Sequence, residues 1–185
     1  MTNEEHDKLI IERVKNGDHT AFRQLVDKYK DDSLALACSI LKDQDLAEDV
    51  LQDVFIKIYD KIKSFKYQSA FYTWLYRFVV NKCYNELRKH KKNRVEMKDD
   101  MITSDELSKK SDAVDQKTMI NTALDLMKPD EALVLRLFYL SELKIEEVVQ
   151  VTGFGASKVK VTLHRARKSL AETLRKLFGK EIEEL

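Results

Sequence analysis

Glycine, proline and cysteine are scarce in this chain, and their scarcity limits the folds open to it. The 185 residues include 4 glycines, 1 proline and 2 cysteines. Turn residues are therefore few, and the long periodic segments lack the alternation typical of strands. Two cysteines without a CxxC pair, together with scattered histidines, argue against a metal motif. We expect an all-α protein with no metal and no cofactor.

Long apolar runs are also missing. No stretch approaches the length of a membrane span, and the charged N-terminus does not resemble a signal peptide. We therefore expect a soluble, cytoplasmic protein with no membrane insertion. Cys38 and Cys83 both fall within apolar helical patterns, where a free cysteine acts as a small core residue.

Signals of enzymatic chemistry are missing as well. The sequence offers no nucleophile–base–acid arrangement, no phosphate-cradling glycine loop and no metal-ligand spacing. We expect no catalytic residue and a protein that is not an enzyme.

Charge is abundant but segregated. The net charge is only +1, yet the charged residues within 43–60 and 96–116 are mostly acidic, whereas those within 82–94 and 158–180 are mostly basic. Such separation favours one partner of each sign.

The segment 71–92 predicts a helix around which the rest of the chain is organised. It contains neither glycine nor proline, and Leu75, Val79, Cys83 and Leu87 form an apolar stripe at steps of four. A second face carries Arg77, Asn81, Tyr84 and Arg88, a set that suits phosphates, base edges and stacked bases. Aromatic core packing beside a solvated charged face is the alternative that the segment alone leaves open.

Capping residues predict where several helices begin. Asp7 and Asp18 are candidate N-caps, and Asp45 with Glu48 reads as a capping box. The helix after Asp45 buries a stripe that includes Val50 and Val54. Its opposite face is acidic and is either solvated or a docking surface for a basic groove; it carries Glu48, Asp49, Gln52 and Asp53.

The second half of the chain predicts a helix-turn-helix. Residues 95–116 are acidic and poor in apolar groups, which is typical of a flexible linker between domains at 1–94 and 117–185. Beyond it, Pro129 suits the first turn of a helix. A short helix over 145–151, a glycine turn at 153–155 and a basic helix over 156–178 complete the pattern. A helical hairpin with a solvated basic face is the alternative.

Three stretches together resemble the bacterial σ70 family, most closely its small extracytoplasmic-function (ECF) branch. DLAEDVLQDVF at 45–55 and SAFYTWLYR at 69–77, followed by Asn81 and Arg88, resemble region 2 of that family. KVKVTLHRARKSL at 158–170 resembles the end of region 4. The resemblance covers nearly the whole chain except the linker. It implies two small helical domains, a region 2-like bundle and a region 4-like helix-turn-helix.

The resemblance also implies a function and a set of site residues. The chain is expected to bind core RNA polymerase and to direct promoter-specific initiation by recognising −10 and −35 elements and helping to melt DNA. Residues matching the surface for the β′ clamp helices are Asp49, Gln52 and Asp53. Residues matching −10 recognition are Lys66, Tyr67, Gln68, Ser69, Phe71, Tyr72, Trp74, Arg77, Asn81, Arg88, Lys89, Lys91 and Lys92. Residues matching −35 recognition are Lys158, Lys160, Val161, His164, Arg165 and Lys168.

Two further partners follow from the resemblance. A patch near Leu124, Leu133, Leu137 and Phe138 partly matches the surface that meets the β flap, although most of these residues read as core. Members of the family commonly also have an anti-sigma factor.

Departures from the family pattern bear on base preference rather than on fold. Tyr67 and Gln68 stand where small residues are usual, Lys144 replaces a Ser or Thr cap, and residues 155–158 differ at the start of the reading helix. The alternative function is a helix-turn-helix transcriptional regulator that does not bind core polymerase. That alternative explains the basic second helix but not the acidic helix or the aromatic loop.

Overall fold

The computed structural model describes residues 3–96 and 116–182, and every regular element in these ranges is helical. The first half contains α1 (Asn3–Lys15), α2 (His19–Leu41), α3 (Gln44–Lys61), a 3₁₀ turn (Ile62–Ser64) and α4 (Phe71–Glu96). The second half contains α5 (Gln116–Leu126), α6 (Pro129–Leu135) with a π-helical turn (Arg136–Leu140), α7 (Ile145–Thr152) and α8 (Ala156–Ile182). The all-α expectation is confirmed. The predicted linker lies outside the described residues except at its ends.

The apolar stripes predicted from helical spacing form the core. Leu75, Val79 and Cys83 of α4 are fully buried, and α3 turns Val50 and Val54 inward. Burying an aliphatic side chain of this size stabilises a fold by about 1.5–3 kcal/mol. α2 packs against α1, α3 and α4, while α8 packs against α5, α6 and α7. Each half therefore has one helix that contacts all its other helices.

The two halves also pack on each other. α4 lies against α7, and α2 lies against α5 and α6. Buried apolar residues form one continuous cluster that runs from Ile10 in α1 to Ala166 in α8. Lys42 ends α2 in a left-handed conformation and donates to the backbone carbonyls of Leu124 and Asp125 at the end of α5.

Two of the three predicted N-caps are wrong. Asp7 is buried inside α1, which begins at Asn3, and its carboxylate accepts hydrogen bonds from Lys28 and Tyr29 of α2. For α3 the cap is Asp43, not Asp45, and its Oδ1 accepts from the Leu46 amide at 3.0 Å. The left-handed Lys42 turns the chain so sharply that α3 begins two residues earlier than the capping-box pattern indicates.

The predicted starts of α2, α6, α7 and α8 are confirmed, whereas α8 continues to Ile182, beyond the predicted end at Phe178. Asp18 caps α2, Pro129 occupies the first turn of α6, and the backbone of α8 departs from helical geometry at Phe178. Between α7 and α8 only Gly153 has a positive φ, 71°, because it forms the left-handed C-cap of α7. None of the helices between residues 3 and 96 or 116 and 182 combines the length and apolar composition that crossing a bilayer requires.

Stability should depend on pH through Asp18. Its carboxylate accepts from the Thr20 hydroxyl and amide, from Arg13 and from the Ala21 amide, and these hydrogen bonds lower its pKa to about 2. A lowered folded-state pKa gives stability that is complete above the unfolded pKa and is lost as pH falls through the folded one. The free energy of unfolding of the wild type should therefore exceed that of Asp18→Asn at about pH 6, and the difference should shrink below about pH 4.

Urea midpoints of the two proteins across that pH range test the expectation. Asp27→Asn is the control, because its exposed carboxylate pairs only loosely with Lys30, at 3.4 Å. Equal gaps at every pH would contradict a role for the ionised Asp18 carboxylate.

Candidate nucleic-acid and polymerase interfaces

One exposed stripe of α4 carries the residues predicted to contact DNA at the −10 element. Arg77, Asn81 and Arg88 are all exposed and lie on the same side of the helix, given 3.6 residues per turn. Lys89 is exposed as well, while Lys91 and Lys92 lie outside the residues whose side chains the structure describes. The stripe offers two guanidinium groups and one amide to a ligand, a combination suited to phosphates and base edges.

An aromatic cluster that includes Trp74 and Phe78 lies beside this stripe on α4. The Trp74 ring lies 4.9 Å from Phe65 and 5.1 Å from Phe78, measured between centroids. Trp74 remains half-buried, so part of its ring surface is accessible. Phe71 is only 3% exposed and packs on Trp74, which makes it a support for the cluster rather than a stacking surface. Phe71 is therefore a core residue, as the alternative interpretation of the segment predicted, whereas Trp74 belongs to the core only in part.

The loop before α4 faces α1 across a cavity. Lys66 and Gln68 are exposed, whereas Tyr67 and Ser69 are half-buried. The cavity is about 490 Å³ in volume and is lined by α1 and by loop residues 67–70. Tyr67 adopts a left-handed backbone with φ of 57°, a conformation uncommon for a residue with a large side chain.

Tyr72 and Tyr84 contact the second half of the chain. The Tyr72 hydroxyl donates to Glu147 of α7 at 3.0 Å, and burial with this hydrogen bond raises the pKa of Tyr72 to about 12. The Tyr84 hydroxyl donates to Asp130 of α6 at 2.6 Å, and burial again raises the pKa of the phenol. Both rings therefore hold the two halves of the chain together in this structure, a role that the sequence pattern did not reveal.

Glu147 is the centre of that contact. Its Oε1 accepts from Tyr72 and from Thr73, which is only 2% exposed, and its Oε2 accepts from the Lys144 amide at 2.9 Å. The last bond is the half of a capping box that the third helical residue supplies. Glu147 thus satisfies the Lys144 amide, while the Lys144 side chain does not make the bond by which a Ser or Thr caps a helix.

The acidic face of α3 is open to solvent. Asp49, Gln52 and Asp53 are all exposed, as predicted from their spacing. Lys82 of α4 donates to Asp53 at 2.8 Å, which lowers the pKa of the carboxyl and raises that of the amine. Since Asp53 is 61% exposed, water screens this pair and its effect on stability is small.

An apolar residue missed by the sequence reading shares this face. Ile56 is 58% exposed and lies one turn beyond Gln52 and Asp53. Its position off the buried stripe of α3 was the available signal. A single exposed apolar side chain is common on protein surfaces, so Ile56 adds apolar area to this face but does not by itself identify a binding surface.

The last helix presents the residues predicted to contact the −35 element on one side. All six are exposed, opposite the buried Val159, Leu163 and Ala166; they are Lys158, Lys160, Val161, His164, Arg165 and Lys168. Lys158 is held within the chain, because its amine lies 3.4 Å from the Phe154 ring centroid and 3.2 Å from Asp130. Asp130 accepts from Tyr84 as well, so one carboxylate joins α4 to the start of α8.

The patch proposed for the β flap is mostly core, as expected. Leu124, Leu133 and Leu137 are buried and Phe138 is half-buried. The apolar side chains that do reach solvent nearby are Leu126, Tyr139 and Leu140. Within the described ranges no group of His, Cys, Asp and Glu residues could hold a metal ion. Burial raises the pKa of the Cys83 thiol to about 12, which keeps it protonated and unreactive.

Removing the Glu147 carboxylate should loosen the contact between the two halves. Glu147→Ala deletes three accepted hydrogen bonds, including a helix cap, so unfolding free energy should fall by about 1–3 kcal/mol. Tyr72→Phe removes one of these bonds and leaves the cap, so its unfolding free energy should fall by only about 1 kcal/mol. Urea denaturation measures both, and small-angle scattering should report a larger radius for Glu147→Ala.

Glu146→Ala is the matched control, because Glu146 is the exposed neighbour in the same helical turn. If Glu146→Ala and Glu147→Ala behaved alike, the contact would not depend on Glu147.

Comparison with known proteins identifies both halves of the chain. The family model described as Sigma-70 region 2 matches residues 25–93, and the one described as Sigma-70, region 4 matches residues 117–170. The first match contains the acidic face of α3, the loop and the exposed stripe of α4. The second contains the helix-turn-helix.

Whole-length relatives give the same result. The chain is 33% identical to the ECF RNA polymerase sigma factor SigW of Bacillus subtilis over 184 residues, which cover 92% of this chain and 97% of that protein. It is 29% identical to the RNA polymerase sigma-H factor of Pseudomonas aeruginosa over 190 residues, with 96% and 98% covered.

Solved structures agree with the fold. The sigma factor RpoE of Bartonella quintana, solved with the anti-sigma factor NepR, superposes with a TM-score of 0.71 at 25% identity, covering 83% of this chain and 96% of that one. CnrH, solved with the cytosolic domain of CnrY, matches the fold with a TM-score of 0.64 at 21% identity, covering 92% and 98%. The chain therefore belongs to the σ70 family of RNA polymerase sigma factors, in its ECF group.

Proposed function

We propose that this sigma factor binds the β′ clamp helices of core RNA polymerase through the acidic face of α3 and opens promoters through α4 and the loop before it. In the same proposal α8 reads the −35 element in the major groove, and the exposed apolar residues near the π-helical turn meet the β flap. The partners are thus core polymerase and promoter DNA.

One observation carries the proposal: the same helical half presents both an acidic face and a DNA-suited stripe, each exposed. Asp49 and Asp53 supply the first, with Ile56 beside them as an apolar anchor. Arg77 and Asn81 supply the second. A regulator that binds DNA without polymerase has no use for the acidic face, whereas a polymerase subunit needs both surfaces.

Melting requires that an unstacked base be captured. Extruding a base costs a few kcal/mol, which stacking and edge hydrogen bonds must return. Trp74 retains accessible ring surface, and Asn81 both donates and accepts on the exposed side of α4. Stacking on an aromatic ring contributes about 1–3 kcal/mol per base.

The −35 assignment rests on the exposed side of α8. Arg165 can form a paired contact with a guanine edge, and Val161 can contact a thymine methyl. Lys160 and Lys168 supply phosphate contacts. An anti-sigma factor is the further partner we propose, supported by the fold shared with the sigma factor that was solved bound to NepR.

Core binding should fail when the acidic face is reversed. Asp49→Lys/Asp53→Lys replaces two carboxylates by amines, so co-purification with core RNA polymerase should be lost while the circular dichroism spectrum stays helical. Asp27→Lys/Asp31→Lys, on exposed acids of α2, carries the same charge change and should bind core like wild type. Retained binding by the α3 variant would rule out this surface.

Strand opening should depend on Asn81. Asn81→Ala removes the hydrogen bonds of one amide to a base edge, so promoter opening should fall by about 5–100-fold. Closed complexes should be largely retained. Promoters selected by run-off transcription from a promoter library serve as templates. Permanganate reactivity of −10 thymines measures opening, and gel shift measures closed complexes.

A template already melted at the −10 element should restore part of the Asn81→Ala activity. Gln24→Ala, an exposed amide on α2, is the control and should open DNA normally. Wild-type opening by Asn81→Ala would refute the role of Asn81, and a wild-type factor that opens no promoter would refute the proposed function.

A further inference from the structure

Three side chains of α1 hold the loop that precedes α4. Lys8, Glu12 and Lys15 are spaced by four and three residues, which places them on one side of α1. All three contact Tyr67, and Lys15 also contacts the loop backbone. Neither α1 nor any of these residues belongs to the part of the chain that matches region 2.

The contacts restrain both the side chain and the backbone of the loop. The Tyr67 hydroxyl donates to Glu12 Oε1. The Lys15 amine lies 4.1 Å from the Tyr67 ring centroid and donates to the Phe65 carbonyl at 2.9 Å. The Lys15 side chain is only 18% exposed, and its amine also pairs with Glu12 at 3.6 Å. Glu12, Lys15 and Tyr67 therefore each contact the other two. The hydrogen bond from Tyr67 lowers the pKa of Glu12, which keeps the acceptor ionised.

The restraint acts where the loop conformation is least favourable. Tyr67 has a φ of 57°, and a non-glycine residue keeps such a backbone only when its surroundings determine it. Its ring also packs edge-on against Phe65 at 4.9 Å. Without the contacts from α1, the loop would be free to relax toward the β or α region.

The conformation of Tyr67 determines the shape of the cavity between the loop and α1. That cavity is about 490 Å³, and its walls combine aromatic rings of the loop with polar groups of Gln68 and Ser69. Phe65, which packs on Tyr67, also packs on Trp74 at 4.9 Å, so the loop adjoins the ring that the proposed function assigns to the captured base. A shift of the loop by a fraction of an ångström changes which base edge finds its partners.

We propose that Glu12 and Lys15 are positioning residues for −10 recognition: they fix Tyr67 and thereby set the base preference of the loop without touching DNA themselves. The inference rests on the proposed function and adds α1 to its specificity apparatus. It also gives Tyr67, which stands where the family usually has a small residue, a defined structural role.

The test measures base preference, which a merely structural role would not change. Holoenzyme formed from core RNA polymerase and each variant transcribes a promoter library randomised at the −10 element, and sequencing of the transcripts gives the enrichment of each base. Tyr67→Phe removes the hydroxyl, Glu12→Ala removes its acceptor, and Glu12→Gln keeps a neutral acceptor. Lys15→Met removes the amine and keeps the length of the side chain.

The enrichment at one −10 position should fall by about 2–10-fold in Tyr67→Phe and in Glu12→Ala, the effect of losing one hydrogen bond. The enrichment should fall in the same range in Lys15→Met, and it should fall less in Glu12→Gln. The double variant Tyr67→Phe/Glu12→Ala should be no worse than either single variant, because both break the same bond. Preference at the −35 element and core binding should not change.

Two control variants remove polar contacts of the same half that do not involve Tyr67. Tyr59→Phe removes a hydroxyl bound to His19 elsewhere in the same half, and Arg13→Ala breaks the ion pair with Asp18 from the next position of α1. Both should keep the wild-type base preference. Thermal unfolding of every variant reports any loss of fold, and Glu12→Gln keeps the test valid if Glu12→Ala fails to fold.

The outcomes distinguish this inference from the proposed function. If wild type initiates from the library and Tyr67→Phe and Glu12→Ala keep its base preference, the inference is wrong and the proposed function stands. Additive effects in the double variant, or equal effects in Tyr59→Phe, would also overturn it. If wild type initiates from no member of the library, the proposed function itself fails.

Discussion

The arrangement of the whole chain depends on a carboxylate that serves two helices at once. Glu147 caps its own short helix, α7, and accepts hydrogen bonds from Tyr72 and Thr73 at the start of α4. Hydrogen bonds to an ionised group are about twice as strong as neutral ones. Because the cap and the docking contact share one side chain, the bond from the Lys144 amide holds the Glu147 carboxylate in position to accept from Tyr72 and Thr73. A second carboxylate, Asp130, repeats the arrangement by joining Tyr84 to Lys158.

Helix α4 meets three different environments. One side, with Leu75 and Val79, fills the core of the first half. Tyr72 and Tyr84, at different angles around the helix, bond to α7 and α6. Another side, with Arg77 and Asn81, stays in solvent. A long helix without glycine or proline can serve three environments in this way, since 3.6 residues per turn bring each side back at regular intervals.

Helical periodicity was sufficient to predict the buried stripes of α3, α4 and α8, the helix-turn-helix and the exposed acidic and basic faces. It failed where a polar side chain has a partner far away in the sequence. The sequence pattern predicts Asp7 as a helix cap, but Asp7 is buried and accepts a hydrogen bond from Tyr29. The pattern also groups Tyr84 with the DNA-suited residues of α4, but its hydroxyl donates to Asp130. Composition cannot show such pairs, because they depend on how helices meet. The role of Lys42 in moving the start of α3 was hidden for a related reason: a lysine carries no sequence signal for a left-handed backbone.

The docked arrangement has a geometric consequence for a factor that reads two promoter elements. The −35 and −10 positions are separated by about 25 base pairs, or roughly 85 Å at 3.4 Å per step. A compact chain of this length has a radius of gyration of only about 16 Å. Under the proposed function, the α4–α7 contact has to open before both elements are bound, and the 20 peptide steps between Glu96 and Gln116 reach at most about 70 Å. The free energy of that opening is subtracted from promoter affinity, so any ligand that strengthens the Glu147 contact lowers occupancy without approaching the DNA-reading surfaces.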